Sequence, residues 1–272
     1  EQMGNIRPKA GRFSLAVEPN CLYSLTTTSG QRKGRTSPPP SSPLPLPFAE
    51  DFSKYKPGEG PRLFSDQAGV FEVQKRADGA GNCLSQVLHS DGIQWSGHPD
   101  PKPETFVGDV TWSDYSVTVD ARVPADGYAM LLGRVSVIPM TTKLPNGYVF
   151  KISGTGDWEL RTIRTRIAGK PYEFETSGDT GDPVAHGHTD LTPGAWHHLE
   201  LRMIGDEIAM LCDGKNLGTV RDSTHTHGQV GLGCDWSGGE FANLAVQPEQ
   251  VTKNRAVRAN AVGSLSENIK AR

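Results

Sequence analysis

The chain has 272 residues, a net charge of −3 and a hydrophobic fraction of 35%, with a mean hydropathy of −0.47. The slightly acidic charge argues against nucleic-acid binding, which relies on basic patches that neutralise phosphates. No apolar run approaches the roughly 20 residues of a membrane span, so we expect no transmembrane segment. The 31 glycines and 20 prolines favour a turn-rich, all-β protein.

The first predicted element is a β-hairpin close to the N-terminus. Phe13, Leu15 and Val17 alternate along one segment, and residues 22–28 are rich in β-formers. The chain opens on Glu1, with no Met and no recognisable targeting segment. We therefore interpret residues 1–35 as the C-terminal strands of a truncated β-sandwich domain, and the whole sequence as the C-terminal piece of a longer protein.

A proline-rich linker is predicted at residues 36–47. Six of the eleven residues from Ser37 to Pro47 are proline. Such a run cannot sustain a sheet ladder and behaves as a stiff, extended spacer. It separates the N-terminal segment from the larger domain that follows.

Residues 48–247 are predicted to form one all-β domain of about a dozen short strands separated by turns. Alternation is clear between Tyr115 and Val123, and Asp213-Gly214 is a strong hairpin signal because both residues tolerate positive φ. The strand that begins at Trp196, followed by that hairpin, resembles the concanavalin A-like jelly roll of lectin and laminin-G-type domains. After Pro248 the pattern fades, so residues 248–272 are expected to be a mobile tail.

The cysteines and histidines leave two questions open. Cys212 and Cys234 could face each other across neighbouring strands, or all four cysteines could be free thiols that pack as small hydrophobic residues. Histidines occur in the pairs 186/188, 197/198 and 225/227. Alternate histidines on an extended strand could chelate a metal such as zinc, or the same residues could lie in polar loops.

Three residues are candidates for carbohydrate binding. Aromatic side chains stack on the C–H faces of sugars, and Trp158 and Trp236 lie in turn-rich segments where we expect them to be exposed, whereas Trp112 and Trp196 are expected to fill the core. Arg134 lies within an apolar strand and needs a specific partner, either a ligand or an ion pair on the same sheet face.

Several segments, in order, resemble the galactosylceramidase (galactocerebrosidase) family. The segment from Ser14 to Gly34, the Pro/Ser spacer and the Glu-Asp-Phe at 50–52 are similar to the late region of these glycosidases. The similarity continues through DQAGVFE (66–72), SQVL (85–88), IQW (93–95), GDVTW (108–112), GRV (133–135) and GEFANLAV (239–246). In that family a glycosidase barrel is followed by a small β-sandwich, a Pro-rich spacer and a lectin-like domain.

The resemblance implies that the catalytic residues lie outside this chain. The parent protein would hydrolyse the β-galactosyl bond of galactosylceramide with two barrel glutamates, by a retaining mechanism, in a lysosomal or secreted setting. Within this chain Glu173 and Glu175 are the residues most similar to a catalytic carboxylate pair, but we interpret them as part of a solvent-exposed strand face. The lectin-like domain would contact a galactolipid or glycan, together with its own upstream barrel and β-sandwich.

The resemblance also implies a structural calcium ion that joins the first and last strands of the lectin-like domain. Asp51 matches a first-strand aspartate of the family, and Ser53 takes the place of a neighbouring Asn. In the last strand Ala242 stands where the family has an Asp, with Asn243 beside it. Hard oxygen ligands suit Ca²⁺, but the missing carboxylate should weaken such a site, and a purely structural turn at Asp51 is the alternative.

Two other functions fit the same residues. The chain could be a carbohydrate-binding lectin-type module that acts without a catalytic partner of this specificity, or a structural interaction domain that binds no sugar. The sequence upstream of this chain would separate the first of these from a galactosylceramidase.

Overall fold

The computed structural model describes residues 3–27, 40–90, 102–138, 144–167, 174–177 and 183–250, with backbone only at 165–167 and 174–177. Trp95, Glu173, the side chain of Glu175 and residues 251–272 of the expected tail lie outside this description. The chain divides into two compact units, Glu1–Ser42 and Pro43–Arg272. Within the described residues, no helix has the length and hydropathy needed to cross a bilayer.

Residues 3–27, the described part of the N-terminal unit before the linker, do not form the strands of the hairpin that the sequence predicts. Residues 3–27 contain one isolated β-bridge, between Lys9 and Arg12, and no strand. Phe13, Val17 and Leu22 are 51%, 64% and 100% exposed, so their alternation does not produce a buried face. A two-stranded hairpin without a packed apolar face is marginal in water, which explains why β-forming composition alone does not produce strands here.

The larger unit contains sixteen strands in its described residues, and they form two sheets of eight. The first sheet contains β1 (Phe48–Glu50), β3 (Phe71–Lys75), β4 (Asn82–Gln86), β6 (Tyr115–Arg122), β12 (Trp196–Ile204), β13 (Glu207–Cys212), β14 (Lys215–Arg221) and β16 (Glu240–Pro248). The second sheet contains β2 (Ser65–Ala68), β5 (Glu104–Val107), β7 (Tyr128–Val137), β8 (Asn146–Ser153), β9 (Asp157–Ile167), β10 (Phe174–Ser177), β11 (Ala185–His188) and β15 (Gln229–Cys234).

All strand pairings that the structure describes are antiparallel. The first sheet runs in the order β14-β13-β12-β6-β16-β4-β3, with β1 also on β16. The second runs β10-β9-β8-β7-β15-β5-β2, with β11 also on β9. The first strand thus pairs with the last, as Phe48 lies opposite Val246. This two-sheet antiparallel sandwich confirms the predicted all-β, jelly-roll class.

The core lies between the inner faces of the two sheets. On β6, Tyr115, Val117, Val119 and Ala121 are completely buried, as the alternation predicts, because successive strand residues point to opposite faces. They belong to one cluster with inward-facing residues of the second sheet such as Leu131. The predicted hairpin at Asp213-Gly214 is also confirmed, since both residues have positive φ, 50° and 77°.

The four cysteines are free thiols. Cys21 is exposed, whereas Cys83, Cys212 and Cys234 are buried. Of the two alternatives left open by the sequence, buried thiols are therefore correct and the Cys212–Cys234 disulfide is not formed. Burial raises the pKa of the Cys83 thiol to about 11.

Candidate functional site

Arg134 lies inside the protein and does not reach a surface ligand. Its side chain is 1% exposed. The guanidinium donates to the backbone carbonyls of Ser113, Gly205 and His225 at 2.9, 2.8 and 3.0 Å. It also forms an ion pair with Asp114 at 3.1 Å. The ion-pair alternative describes this residue, so we exclude Arg134 from the candidate sugar site.

Trp158 is also buried, and the expectation that it is exposed was wrong. Its side chain is 8% exposed and belongs to the main core cluster. Two glycines make room for the indole: a Cβ at Gly187 would lie 2.8 Å from Trp158 Cζ2, and one at Gly218 would lie 3.1 Å from its Cη2. Sequence reasoning missed this because the glycines come from β11 and β14, which are distant in the chain.

The burial of the other described tryptophans agrees with the prediction for Trp112 but not for Trp196. Trp112 is 5% exposed and fills the core as predicted. Trp196 is only half-buried, and the Arg76 guanidinium lies 4.0 Å from the centre of its ring. Trp236 is half-buried in the turn between β15 and β16. Of the three carbohydrate-binding candidates, Trp236 alone keeps an accessible side chain.

A polar pocket opens beside the turn that carries Trp236. Its volume is about 170 Å³, and the ends of β4 and β6 and the β15–β16 turn line it. The polar side chains that matter most there are those of Ser85, His89, Arg122, Ser237 and Glu240. The residues come from three separate parts of the chain, so no local motif identifies the pocket in the sequence.

The pocket contains a carboxylate that is only half satisfied. Arg122 Nη1 lies 3.0 Å from Glu240 Oε1, and Arg122 Nε donates to the carbonyl of Gly194 at 2.8 Å. The other oxygen, Glu240 Oε2, has no hydrogen-bond partner among the described residues. A buried acceptor without a partner is costly.

One wall of the pocket depends on a glycine, Gly238. Gly238 has a φ of 99°, and a Cβ there would lie 3.3 Å from the ring of His89. The backbone N–H of Gly238 donates to the carbonyl of Asp235 at 3.3 Å, which closes the turn. This arrangement places His89 and Ser237 at the mouth of the pocket without blocking it.

The predicted calcium ligands Asp51 and Asn243 lie at the same end of the β1–β16 pair. Glu50, the last residue of β1, lies opposite Leu244. Asp51 Oδ1 accepts the backbone N–H and the hydroxyl of Ser53 at 2.9 and 2.8 Å. These two hydrogen bonds lower the pKa of the Asp51 carboxyl, which keeps it charged.

A carboxylate that the sequence did not identify lies beside Asn243. Asn243 Nδ2 donates to Asp120 Oδ2 at 2.7 Å, and Asp120 lies opposite Ala242 on the neighbouring strand. Ala242 is buried and carries no ligand atom. Asp120 thus brings a negative charge beside Ala242, and its other oxygen, Oδ1, lies 2.7 Å from His198 Nδ1.

The histidine pairs do not converge on one point. His186 and His188 lie exposed on β11, and His188 Nδ1 is 3.0 Å from Asp157 Oδ1. His225 is buried against Tyr148, whereas His227 is exposed. In the described part of the chain, the group of three donor residues that meets at one place is His197, Cys212 and Asp213.

Comparison with known proteins agrees with the architecture. The family model "Galactocerebrosidase, C-terminal lectin domain" matches residues 66–249. Mouse galactocerebrosidase is 28% identical over 88% of this chain and 34% of its own length, and the human protein is 26% identical over 77% of this chain and 29% of its own length. The chain thus spans about a third of these relatives.

Solved structures give weaker similarities. The carbohydrate-binding module CBM66 from Bacillus subtilis superposes with a TM-score of 0.47 at 16% identity, covering 68% of this chain and 95% of that one. A protein of unknown function with a galectin-like fold, also from Bacillus subtilis, gives a TM-score of 0.44 at 13% identity, over 68% of this chain and 89% of that one. The family match rests instead on sequence and covers well over half of the chain. The chain belongs to the galactocerebrosidase C-terminal lectin-domain family.

Proposed function

We propose that this chain is the accessory, sugar-contacting part of a galactosylceramidase-type retaining β-galactosidase. The family assignment supports an accessory lectin-like domain. Galactosylceramide as substrate, and a catalytic barrel with two glutamates outside this chain, are the finer parts of the proposal. They rest on the similarity to galactocerebrosidases, of which the chain spans about a third.

The pocket beside Trp236 is the observation that supports sugar binding. Its volume of about 170 Å³ is small, which suits one sugar ring rather than a long chain. Arg122, Ser85, Ser237 and Glu240 supply polar groups to its lining. Trp236 precedes Ser237 in the same turn, and we propose that its half-buried ring adds a stacking surface for the C–H groups of a sugar next to these partners for hydroxyls.

The same pocket lacks the equipment for hydrolysis. A retaining glycosidase needs two carboxyl groups roughly 5–5.5 Å apart. Among the described residues that line the pocket, Glu240 is the single carboxylate, and it is paired with Arg122. Binding without catalysis is therefore the function that this geometry supports.

The binding experiment uses the purified chain and methyl β-galactoside, observed by saturation-transfer NMR, with galactosylceramide vesicles against ceramide vesicles as a second format. We expect binding to weaken roughly 10- to 150-fold in Glu240→Gln, because loss of a charge-assisted hydrogen bond costs about 1.5–3 kcal/mol. Trp236→Ala should weaken it as well. Glu207→Gln and Trp196→Ala, which lie outside the pocket, are the matched controls. Binding that is equal in all four variants would contradict the proposed site.

A second experiment tests the accessory role itself. The purified chain should not hydrolyse an aryl β-galactoside. If it did, the assignment of catalysis to a separate barrel would be wrong. Suppose instead that the chain binds the sugar and that its natural upstream sequence encodes no barrel with paired glutamates. That result would favour a lectin-type module that acts alone. Such a module is feasible, because every residue that lines the pocket lies between Ser85 and Glu240.

Calcium and location complete the proposal. Asp51, Ser53 and Asn243 would hold the ion at the junction of the first and last strands, with Asp120 contributing charge. The ion would be structural, since it would tie β1 to β16. A lysosomal or secreted location follows from the similarity to galactocerebrosidases.

A further inference from the structure

A second cluster of reactive side chains lies at the hairpin between β13 and β14. One ring nitrogen of His197, Cys212 Sγ and a carboxylate oxygen of Asp213 lie within 4.8 Å of one another. His197 and Cys212 are 8% and 4% exposed, whereas Asp213 is open to solvent. The cluster is distinct from the sugar pocket and from the strand junction at Asp51, since it shares no residue with either.

The hydrogen bonds of His197 are unusual. Its Nδ1 lies 2.7 Å from Asp213 Oδ2, and its Nε2 lies 3.0 Å from the carbonyl oxygen of Thr192. A carbonyl oxygen and a carboxylate oxygen both accept only. A neutral imidazole has a single N–H, so it can satisfy one of these oxygens and presents a lone pair to the other. The other ring nitrogen then faces an oxygen with a lone pair on each atom, and a cation bound at that nitrogen would remove this repulsion.

The contact with Thr192 indicates which nitrogen would hold a metal. Histidine ligands almost always donate their other ring N–H to a carboxylate, a backbone carbonyl or a water molecule, which fixes the ring. Here Nε2–H would donate to Thr192, and Nδ1 would point towards Asp213. The ring is thus already oriented for coordination through Nδ1.

The carboxylate is equally well fixed. Asp213 has a φ of 50° at the hairpin turn, and its other oxygen, Oδ1, accepts the backbone N–H of His198 at 2.8 Å. Its backbone N–H donates to the carbonyl of His198 at 2.8 Å. These bonds lock the turn onto β12 and leave Oδ2 facing His197 and Cys212, 2.7 Å from His197 Nδ1 and 3.9 Å from Cys212 Sγ.

We propose that His197, Cys212 and Asp213 form a zinc site in which water completes a tetrahedron. One nitrogen, one sulfur and one oxygen donor match the ligands that Zn²⁺ takes in proteins. The three side chains come from adjacent strands of one sheet, and the exposed side of Asp213 gives the ion access to solvent. Binding displaces the proton on Nδ1 and the thiol proton of Cys212, and both are released to water. The positive charge of Lys215 acts on Cys212 and would repel a metal ion bound there. Its Nζ lies 3.5 Å from the hydroxyl of Thr189.

The test titrates the full, metal-free chain with Zn²⁺ and, separately, with Cd²⁺. We expect one equivalent to bind, and the Cd²⁺ form to show an ultraviolet thiolate-to-metal charge-transfer band. Cys212→Ser should abolish the band and weaken Zn²⁺ binding at least roughly 100-fold, the upper end of what losing even an outer partner costs. Cys83→Ser, a buried cysteine of another strand, should leave both unchanged.

Two further measurements keep the test decisive. Asp213→Asn preserves the shape of the turn residue, so it should fold and still bind Zn²⁺ more weakly. NMR of the His197 ring should show loss of the Nδ1 proton when Zn²⁺ is added. If no thiolate band appears, or if both ring protons persist in excess Zn²⁺, the cluster is a histidinium–aspartate ion pair and the zinc site is wrong.

Discussion

The hydroxyl of Tyr115 accepts the backbone N–H of Arg134 at 2.6 Å. Arg134 has a φ of 50°, and the pairing of β7 with β8 shifts register between Gly133 and Val137. A register shift leaves backbone groups without ladder partners. The hydroxyl of Tyr115, on β6 of the opposite sheet, thus gives a hydrogen-bond partner to the Arg134 N–H at the irregular part of β7.

Replacement of Tyr115 by Phe should destabilise the protein by about 1–3 kcal/mol, the cost of a buried donor left without a partner. The ring remains packed edge-on against Trp112, with centroids 6.1 Å apart, so the loss reports the hydroxyl alone. Urea unfolding followed by tryptophan fluorescence measures it. Tyr23→Phe, in the exposed N-terminal segment, is the control and should change stability by less than about 0.5 kcal/mol. A Tyr115→Phe protein as stable as the parent would contradict this role.

Glu104 should make stability fall as the pH rises. Its carboxyl is buried, Oε1 has no hydrogen-bond partner among the described residues, and burial raises the pKa from 4.5 to about 8. Between these pH values the folded chain holds a proton that the unfolded chain has lost, so unfolding becomes easier as the pH increases. At about 1.4 kcal/mol per pKa unit, the ionised carboxylate costs on the order of 5 kcal/mol above pH 8.

The variant Glu104→Gln removes this titration. Its free energy of unfolding should match that of the parent at pH 5 and exceed it at pH 8, by urea unfolding at both pH values. Glu18→Gln, at an exposed position, should follow the parent at both. The same decline with pH in Glu104→Gln as in the parent would assign the effect to other groups.

Thiol labelling should distinguish Cys21 from the other three cysteines. Cys21 is exposed, while burial raises the pKa of the Cys83 and Cys212 thiols to about 11 and about 12. Because the thiolate is the reactive form, we expect one fast thiol in the native, metal-free chain and four in urea. Cys21→Ser should remove the fast one. Two reactive thiols in urea, instead of four, would mean that a disulfide is present after all.

Much of the fold could be predicted because strand alternation is a local property. The burial of Tyr115, Val117, Val119 and Ala121 follows from period-2 geometry alone. The positive φ at Asp213 and Gly214 follows from their short or absent side chains. Alternation failed at Phe13 and Val17, because a pattern forms a strand only where something covers its apolar face.

The candidate sites were harder to predict, because each is assembled from distant segments. Trp158 has the same local sequence signal as an exposed aromatic, yet glycines on β11 and β14 enclose it. Arg134 needed a partner, and that partner proved to be a set of carbonyls from three loops, with Asp114. No pattern near either residue carries that information.

The sequence by itself therefore determined the all-β class, the inward face of β6, the turn at Asp213-Gly214 and the family, since these depend on nearest neighbours along the chain and on similarity. Only the tertiary structure decided that Arg134 and Trp158 are internal, that Arg122 and Glu240 share a pocket, and that His197 meets Cys212 and Asp213. The physical reason is that sheet register and packing bring together side chains whose separation in the sequence places no constraint on their distance in space.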